Sequence, residues 1–595
     1  MNTMYSVIGQ IVSEGKRVGF LVRDNRDGTK KKVRASELKD LLVQHRVSIN
    51  MKFTHRGFEI IGGHKISGLP VYKLRDNQKA IVNGISIYTG KGLKDYVSNS
   101  LIEIKEERDF VEDISNHIGS KFNRVLAISG LRGTGKTIGM LQAIRNINRY
   151  NETAYISIDE DKGLSCSDLS TVIDAIITNI KYIFIDEITR IQEFCKNSAF
   201  LYDKLCMSGR KVVISGTDSL TLLKSEESAL YHRVKIQNVT LIKYTEAYRT
   251  IGQSFSEYIS MGGLYKADAI GDIQGLMRYI DTAVIDNIMN TLTKNNKITS
   301  LLGLAGIEEE KLRIMVFKIL YAVIYMSTQK DKALNIQRLI DIFMYREDEL
   351  DDILDMVTKR LRLDIKIIPT KAEILNVLES MEQVGLLVKA LNIEYRYKST
   401  SDDDEYKYYI TNPSLTNQVL YSVVEVMKAK GYKAHVMASV KGFMGYILES
   451  VVMSHLADIC NKFKYDLYYY HDNKGREIDV VIQKEDKDIF TDDVSKYVVY
   501  EIKLTDNPDI AVLKSRWIND GEVLQNISGW AGEIKSKGIL YMGESRKFEE
   551  FKSDGLTAPK NTSLKEIEEK NKGIQLINVI DFISNCETIV RSILV

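Results

Sequence analysis

Residues 130–137 read Gly-Leu-Arg-Gly-Thr-Gly-Lys-Thr, a full match to GxxxxGK[ST], and no other stretch restricts the fold as much. The glycines in such a run let successive backbone N–H groups curl around a phosphate at the positive end of a helix. The geometry needs a buried strand before the loop and an amphipathic helix after it. Both patterns are present: residues 125–128 are all apolar, and Ile138, Leu141 and Ile144 recur at helical spacing. Lys136 is then placed to reach the β- and γ-phosphates and Thr137 to ligate Mg2+, with Gly130, Arg132, Gly133, Thr134 and Gly135 forming the rest of the loop. ATP and Mg2+ are the expected cofactors.

A loop of this kind belongs in a parallel α/β sheet, and the flanking sequence supplies one. RVLAISG, TAYISID, KYIFIDE and RKVVISGT are short, nearly all-apolar runs, as strands covered on both faces must be. KYIFIDE ends in two carboxylates about fifty residues after the loop. Asp186 is expected to hold the magnesium, and Glu187 to polarise the attacking water as general base. The next strand ends in Thr217, a candidate sensor of the γ-phosphate. Arg233, ahead of the expected fifth strand, is placed to act as a finger on the nucleotide of a neighbouring subunit, which would make the protein a homo-oligomer. The alternative for Arg233 is a surface arginine capping a helix C-terminus.

Composition excludes several classes. Five scattered cysteines without a CxxC pair argue against a disulfide framework or a zinc module. No apolar run is long enough to cross a bilayer and no signal-peptide pattern opens the chain, so a cytoplasmic protein with no membrane partner is expected. Charge is balanced at +2 over 595 residues but uneven along them. Residues 1–80 hold 16 Lys/Arg against 7 Asp/Glu, a net of +9, which leaves −7 for the remainder. This basic stretch reads as a small β-rich module with a hairpin around Asn25-Arg26-Asp27-Gly28. Its basic face could touch nucleic-acid phosphates, or be a solvated hairpin surface, or meet an unidentified partner.

Downstream, residues 270–390 are helical in pattern. KAEILNVLESMEQVGLLV followed by YRYK, an acidic turn at residues 402–405 and YKYYI reads as a winged helix. From about 440 a second α/β unit begins. Glu449 lies in an expected helix, Asp479 in the strand REIDVVI, and Glu501 with Lys503 in the strand YVVYEIKL. Residues two apart in a strand share a face, so Glu501 and Lys503 point one way while Tyr500, Ile502 and Leu504 pack opposite. Asp479 on an adjacent strand could join Glu501 around Mg2+ or Mn2+, with Lys503 orienting water and Glu449 bracing the site. The alternative is a set of surface salt bridges on an inactive fold.

GLRGTGKT, IFIDEI, ISGTDSLTLL with its following HR, SEYISMGGL, YIDTAVIDNIM, KAEILNVLESMEQVGLLV and YYITNPSL together resemble the prokaryotic AAA-type ATPases that carry a C-terminal domain of unknown function, over roughly residues 105–590. Leu131 stands where that family commonly has proline, Asn412 where it has aspartate, and residues 295–370 look expanded. The order E…D…ExK is similar to the active site of PD-(D/E)xK nucleases. The expected fold is therefore α/β and multidomain: a β-rich module at 1–100, a P-loop ATPase domain at 101–265, a helical and winged-helix region at 266–435, and a restriction-endonuclease-like domain at 436–595. The resemblance implies an ATPase coupled to DNA binding and metal-dependent cleavage, in defence against foreign DNA or mobile elements. The alternative is a nucleotide-controlled switch that binds DNA or protein and does not cut.

Overall fold

In the computed structural model the described residues fall into segments. Backbone alone is described for the strands between residues 5 and 82 and for 309–310, 325–328, 334–335, 422–429 and 433–442. Backbone and side chains are described for most of 85–158, 180–191, 209–217, 234–265, 278–286, 311–324, 370–395, 405–421, 443–484, 494–552 and 556–594. The chain divides into two compact units, residues 1–239 with 287–299, and residues 240–286 with 300–595.

In the first unit, β1 (Tyr5–Ser13), β2 (Lys16–Asp24) and β3 (Lys30–Val33) form an antiparallel sheet of three strands. Arg23 pairs with Lys30, and the turn expected around Asn25-Arg26-Asp27-Gly28 lies outside the described residues. The side chains of the basic face lie outside the described residues. The main sheet comprises β4 (Lys79–Val82), β5 (Ile85–Thr89), β6 (Val125–Ser129), β7 (Thr153–Ile158), β8 (Tyr182–Asp186), β9 (Lys211–Ser215) and β10 (Val234–Asn238), in the order β10-β6-β9-β8-β7-β5-β4. The five strands β6 to β10 run parallel, and β5 and β4 add an antiparallel edge. Strands β5 to β9 are buried on both faces because successive residues feed two cores. Val125, Ala127, Ile183, Ile185, Val212 and Ile214 fill one. Leu126, Ile128, Tyr155, Phe184 and Val213 join helices α1 (Gly90–Ser100), α2 (Val111–Gly119) and α3 (Lys136–Ile147) in the other. β4, β5 and α1 thus belong to the P-loop sheet, whereas the sequence pattern assigns them to the N-terminal module.

The second unit is built on one mixed sheet of nine strands: β11 (Leu334–Asn335), β12 (Leu387–Asn392), β13 (Glu405–Ile410), β14 (Asp466–His471), β15 (Glu477–Lys484), β16 (Lys496–Lys503), β17 (Glu533–Tyr541), β18 (Arg546–Lys547) and β19 (Gln575–Asn578). Their order is β11-β13-β12-β14-β15-β16-β17-β19-β18. Helix α4 (Lys371–Gln383) opens with a capping box from Thr370 and Glu373, and β12 and β13 follow it as an antiparallel hairpin. The helix-plus-hairpin pattern is present, but the hairpin is not a free wing. Leu391 and Asn392 of β12 pair in parallel with Tyr468 and Tyr469 of β14, so the hairpin extends the sheet of the last domain.

The long helix α5 (Lys433–Phe463) packs on this sheet. Against expectation, its stretch Phe443–Phe463 is long and apolar enough by composition to cross a membrane, but most of it is buried inside the unit. Leu448, Val452, Met453 and Leu456 are all fully buried there, so it serves as a core helix. After it come the meander β14-β15-β16, two short helices at Pro508–Lys514 and Gly521–Ser528, then β17 parallel to β16.

Candidate functional site

The phosphate-binding loop leaves β6 and enters α3. At Gly130 (φ +153°) a Cβ would stand 2.3 Å from the carbonyl oxygen of Val239, and Gly135 holds φ +80° as the N-cap of α3, so neither position tolerates a side chain. Lys136, the first residue of α3, is buried and donates from Nζ to the carbonyls of Gly130 (2.6 Å) and Leu131 (2.9 Å). Burial lowers its pKa from the ordinary lysine value to about 8, with Glu187 and Asp186 pulling the other way. Thr134 donates its hydroxyl to Leu131, and its carbonyl accepts from the guanidinium of the buried Arg108. Arg132 and Gly133 are exposed at the loop's crest.

Strand β8 delivers the two carboxylates. Asp186 is buried and surrounded by hydroxyls: Thr137 Oγ1 donates to Oδ2 at 2.7 Å, Tyr155 OH donates to the same oxygen at 2.7 Å, and Ser215 Oγ donates to Oδ1. Thr137 and Asp186 are thus an alcohol and a carboxylate side by side, a donor set that suits Mg2+. Glu187 takes φ +61°, a left-handed backbone that costs a non-glycine residue about 1 kcal/mol and is tolerated where geometry is over-determined. Its Oε2 accepts from Thr217 Oγ1 at 2.7 Å and lies 3.9 Å from Arg190 Nε. The structure therefore brings Thr217 to the carboxylate of Glu187. Arg233 lies outside the described residues.

The second cluster lies in the last domain. Val480 pairs with Tyr500 across β15 and β16, which sets Asp479 beside Glu501. Lys503 Nζ lies 3.2 Å from Asp479 Oδ2 and bonds Glu501 Oε2 as well, and Asp479 also accepts from the Ile502 N–H at 2.7 Å. Both carboxylates are 3% exposed. Burial, opposed by Lys503 and reinforced by Asp479, raises the pKa of Glu501. Burial weakens the charge on Lys503, but Asp479 and Glu501 outweigh it and push its pKa above the usual range. Tyr500 and Ile502 are buried opposite, as expected. Leu504 lies past the strand's end and is exposed.

Two members were missed. Lys407 of β13, 1% exposed, donates to Glu449 Oε2 at 2.8 Å and to Glu477 Oε1 at 3.1 Å. Glu449 is thus paired to Lys407 rather than bracing Lys503 directly. Against burial, the two glutamates raise the pKa of Lys407 well above the ordinary value. The hydroxyls of Tyr409 and Tyr469 are buried without a hydrogen-bond partner. The signal for Glu477 stood in the sequence two residues from Asp479, on the same strand face. Among the described residues no group of three or more His, Cys, Asp or Glu is gathered as a metal-binding set. The pair Asp479 and Glu501 still fits a cation that takes one or two carboxylates and fills its remaining positions with water and phosphate oxygens.

Comparison with known proteins gives two family matches. Residues 122–248 match the AAA domain, and residues 444–549 match the domain of unknown function DUF4143. The chain therefore carries an AAA-type P-loop ATPase domain in a mixed α/β fold with a parallel-strand sheet, and that domain implies ATP and Mg2+. Glu449, Asp479, Glu501 and Lys503 all fall inside the second match, and Lys407 falls outside it. No curated protein matches the chain. Solved structures similar to it include Hsp104 of S. cerevisiae in complex with casein, at 16% identity over 47% of this chain and 52% of that one, with a TM-score of 0.22. Others are the Aeropyrum pernix ORC1 protein in complex with DNA (13% identity, 56% and 92%, TM-score 0.21) and C. elegans PCH-2 (14%, 53% and 78%, TM-score 0.23). The chain spans about half the length of the Hsp104 chain.

Proposed function

We propose that the protein hydrolyses ATP at the loop of residues 130–137 and couples that cycle to binding and metal-dependent cleavage of DNA by its last domain. Thr137 and Asp186 would hold the Mg2+ that accompanies ATP. Lys136 would exchange its loop carbonyls for β- and γ-phosphate oxygens. Glu187, oriented by Thr217, would accept the proton of the attacking water. Thr217 serves better here as the partner that aims Glu187 than as a separate sensor of phosphate. Arg233 would complete the site of a neighbouring subunit in a homo-oligomer.

Asp479 and Glu501 would hold Mg2+ or Mn2+, which supplies charge neutralisation at the scissile phosphate. Lys503 would orient the water and balance the developing charge. The observation that carries this half is the approach of Lys503 Nζ to both carboxylates from one strand face. A role in defence against foreign DNA or mobile elements follows from the resemblance alone.

A second reading has its own support. Lys407 and Lys503 each bridge two of the cluster's four carboxylates, as a structural network on an inactive fold would. The test incubates the full chain with linear and circular DNA in Mg2+ or Mn2+, with and without ATP, beside Lys503→Ala. Cleavage that disappears in the variant is expected. Intact DNA in every lane, with ATP turnover present, would replace the nuclease with a nucleotide-controlled DNA- or protein-binding switch.

A further inference from the structure

Residues that precede the matched AAA domain pack on the tyrosine that bonds Asp186. Tyr155 of β7 is 1% exposed, and its hydroxyl lies 2.7 Å from Asp186 Oδ2. It is also hydrogen-bonded to Tyr96 of α1. An ionised carboxylate only accepts, so the single proton of Tyr155 points at Asp186. The rings lock it sideways. Tyr96 stacks on Tyr155 with centroids 5.6 Å apart, Tyr88 of β5 stacks on Tyr96 at 4.2 Å, and Tyr88 meets Tyr155 at 6.0 Å. A tyrosine has two stiff torsions, so three packed rings hold a hydroxyl more firmly than a flexible side chain could.

Asp186 Oδ2 accepts two hydrogen bonds, one from Thr137 and one from Tyr155. Thr137 would turn its oxygen to the metal when MgATP binds, and Tyr155 then remains as a fixed donor to that carboxylate oxygen. We infer that Tyr155 is a positioning residue of the ATP site, held by Tyr96 and Tyr88, which orients Asp186 for Mg2+ without touching nucleotide. The inference rests on the ATP site described above. It extends that site upstream to residues 85–100, which lie before the matched domain.

The experiment measures affinity of the full chain for a fluorescent ATP analogue in EDTA and in Mg2+, for wild type, Tyr155→Phe, Tyr96→Phe and Lys136→Ala. The readout is the ratio of the two affinities. Tyr155→Phe should bind within about twofold of wild type in EDTA, and should lose about tenfold of the Mg2+-dependent gain, the worth of one hydrogen bond to a charged group. Tyr96→Phe should lose a smaller share in the same direction, and it carries the test if Tyr155→Phe does not fold. A Mg2+ gain in either folded tyrosine variant equal to that of wild type overturns the inference, as does wild type with no gain. Lys136→Ala binding as wild type does would instead overturn the ATP site itself.

Discussion

Lys136 enters the site with its charge already weakened, and this has a measurable consequence. Its pKa in the folded chain is about 8, lowered chiefly by burial. Above that pH the folded, unliganded protein loses the proton that an ATP phosphate needs opposite it. Affinity for ATP should therefore fall as pH rises from 7 to 9, by about tenfold, and a flat profile would mean that Lys136 does not face the phosphates. Glu187→Gln retains an acceptor for the Thr217 hydroxyl but cannot take a proton. Nucleotide binding should stay within about twofold while turnover drops at least ~100-fold, as steady-state phosphate release would report. These residues were legible because each sits at a fixed offset from a strand end or a helix start. Lys407 was not. YKYYI alternates like any half-buried strand, and only the pairing of β13 in a sheet that returns some 70 residues later brings its lysine to Glu449 and Glu477.

At the scale of elements, the fit of α3 beneath the loop depends on the absence of a side chain. A Cβ at Gly139 would stand 2.1 Å from the Phe110 ring, which packs into the same core. Gly139→Val should lower the stability of this unit by about 1–3 kcal/mol through overpacking, seen as earlier thermal unfolding, with ATP affinity falling in parallel. Unchanged melting would mean that the ring moves aside freely. The parallel strands β6 to β9 were readable from their unbroken apolar runs. Their spatial order was not, because order is set by crossover connections rather than by composition. The edge strands β4 and β5 had an available signal, since Asn83-Gly84 between them is the strongest short hairpin pair. The wing was misjudged for a different reason: a helix followed by a hairpin looks the same in sequence whether its outer strand meets solvent or, as in β12, another strand.

Across the whole molecule, each unit contains, among the described residues, one buried histidine that resists protonation. Burial, with Lys211 nearby, lowers the pKa of His117 to about 4. Burial, with Lys243 nearby, lowers that of His455 to about 3. Below pH 6.5 the unfolded chain takes up protons that the folded chain refuses, so stability falls as pH drops from 6.5 towards those values. His117 alone should remove about 2 kcal/mol between pH 7 and pH 5. His117→Gln, which can still donate to the Val212 carbonyl, should flatten this dependence in thermal melts of the first unit, and an unchanged slope would show that other groups govern it. The central claim is that nucleotide at one site drives phosphodiester cleavage at another, in a chain whose phosphate-binding loop and carboxylate cluster lie in different units. Its most direct test is the rate of DNA cleavage by Lys136→Ala in the presence of ATP and Mg2+. Coupling predicts that the variant cuts no faster than wild type deprived of ATP. Cleavage at the full wild-type rate would contradict it and separate the two sites.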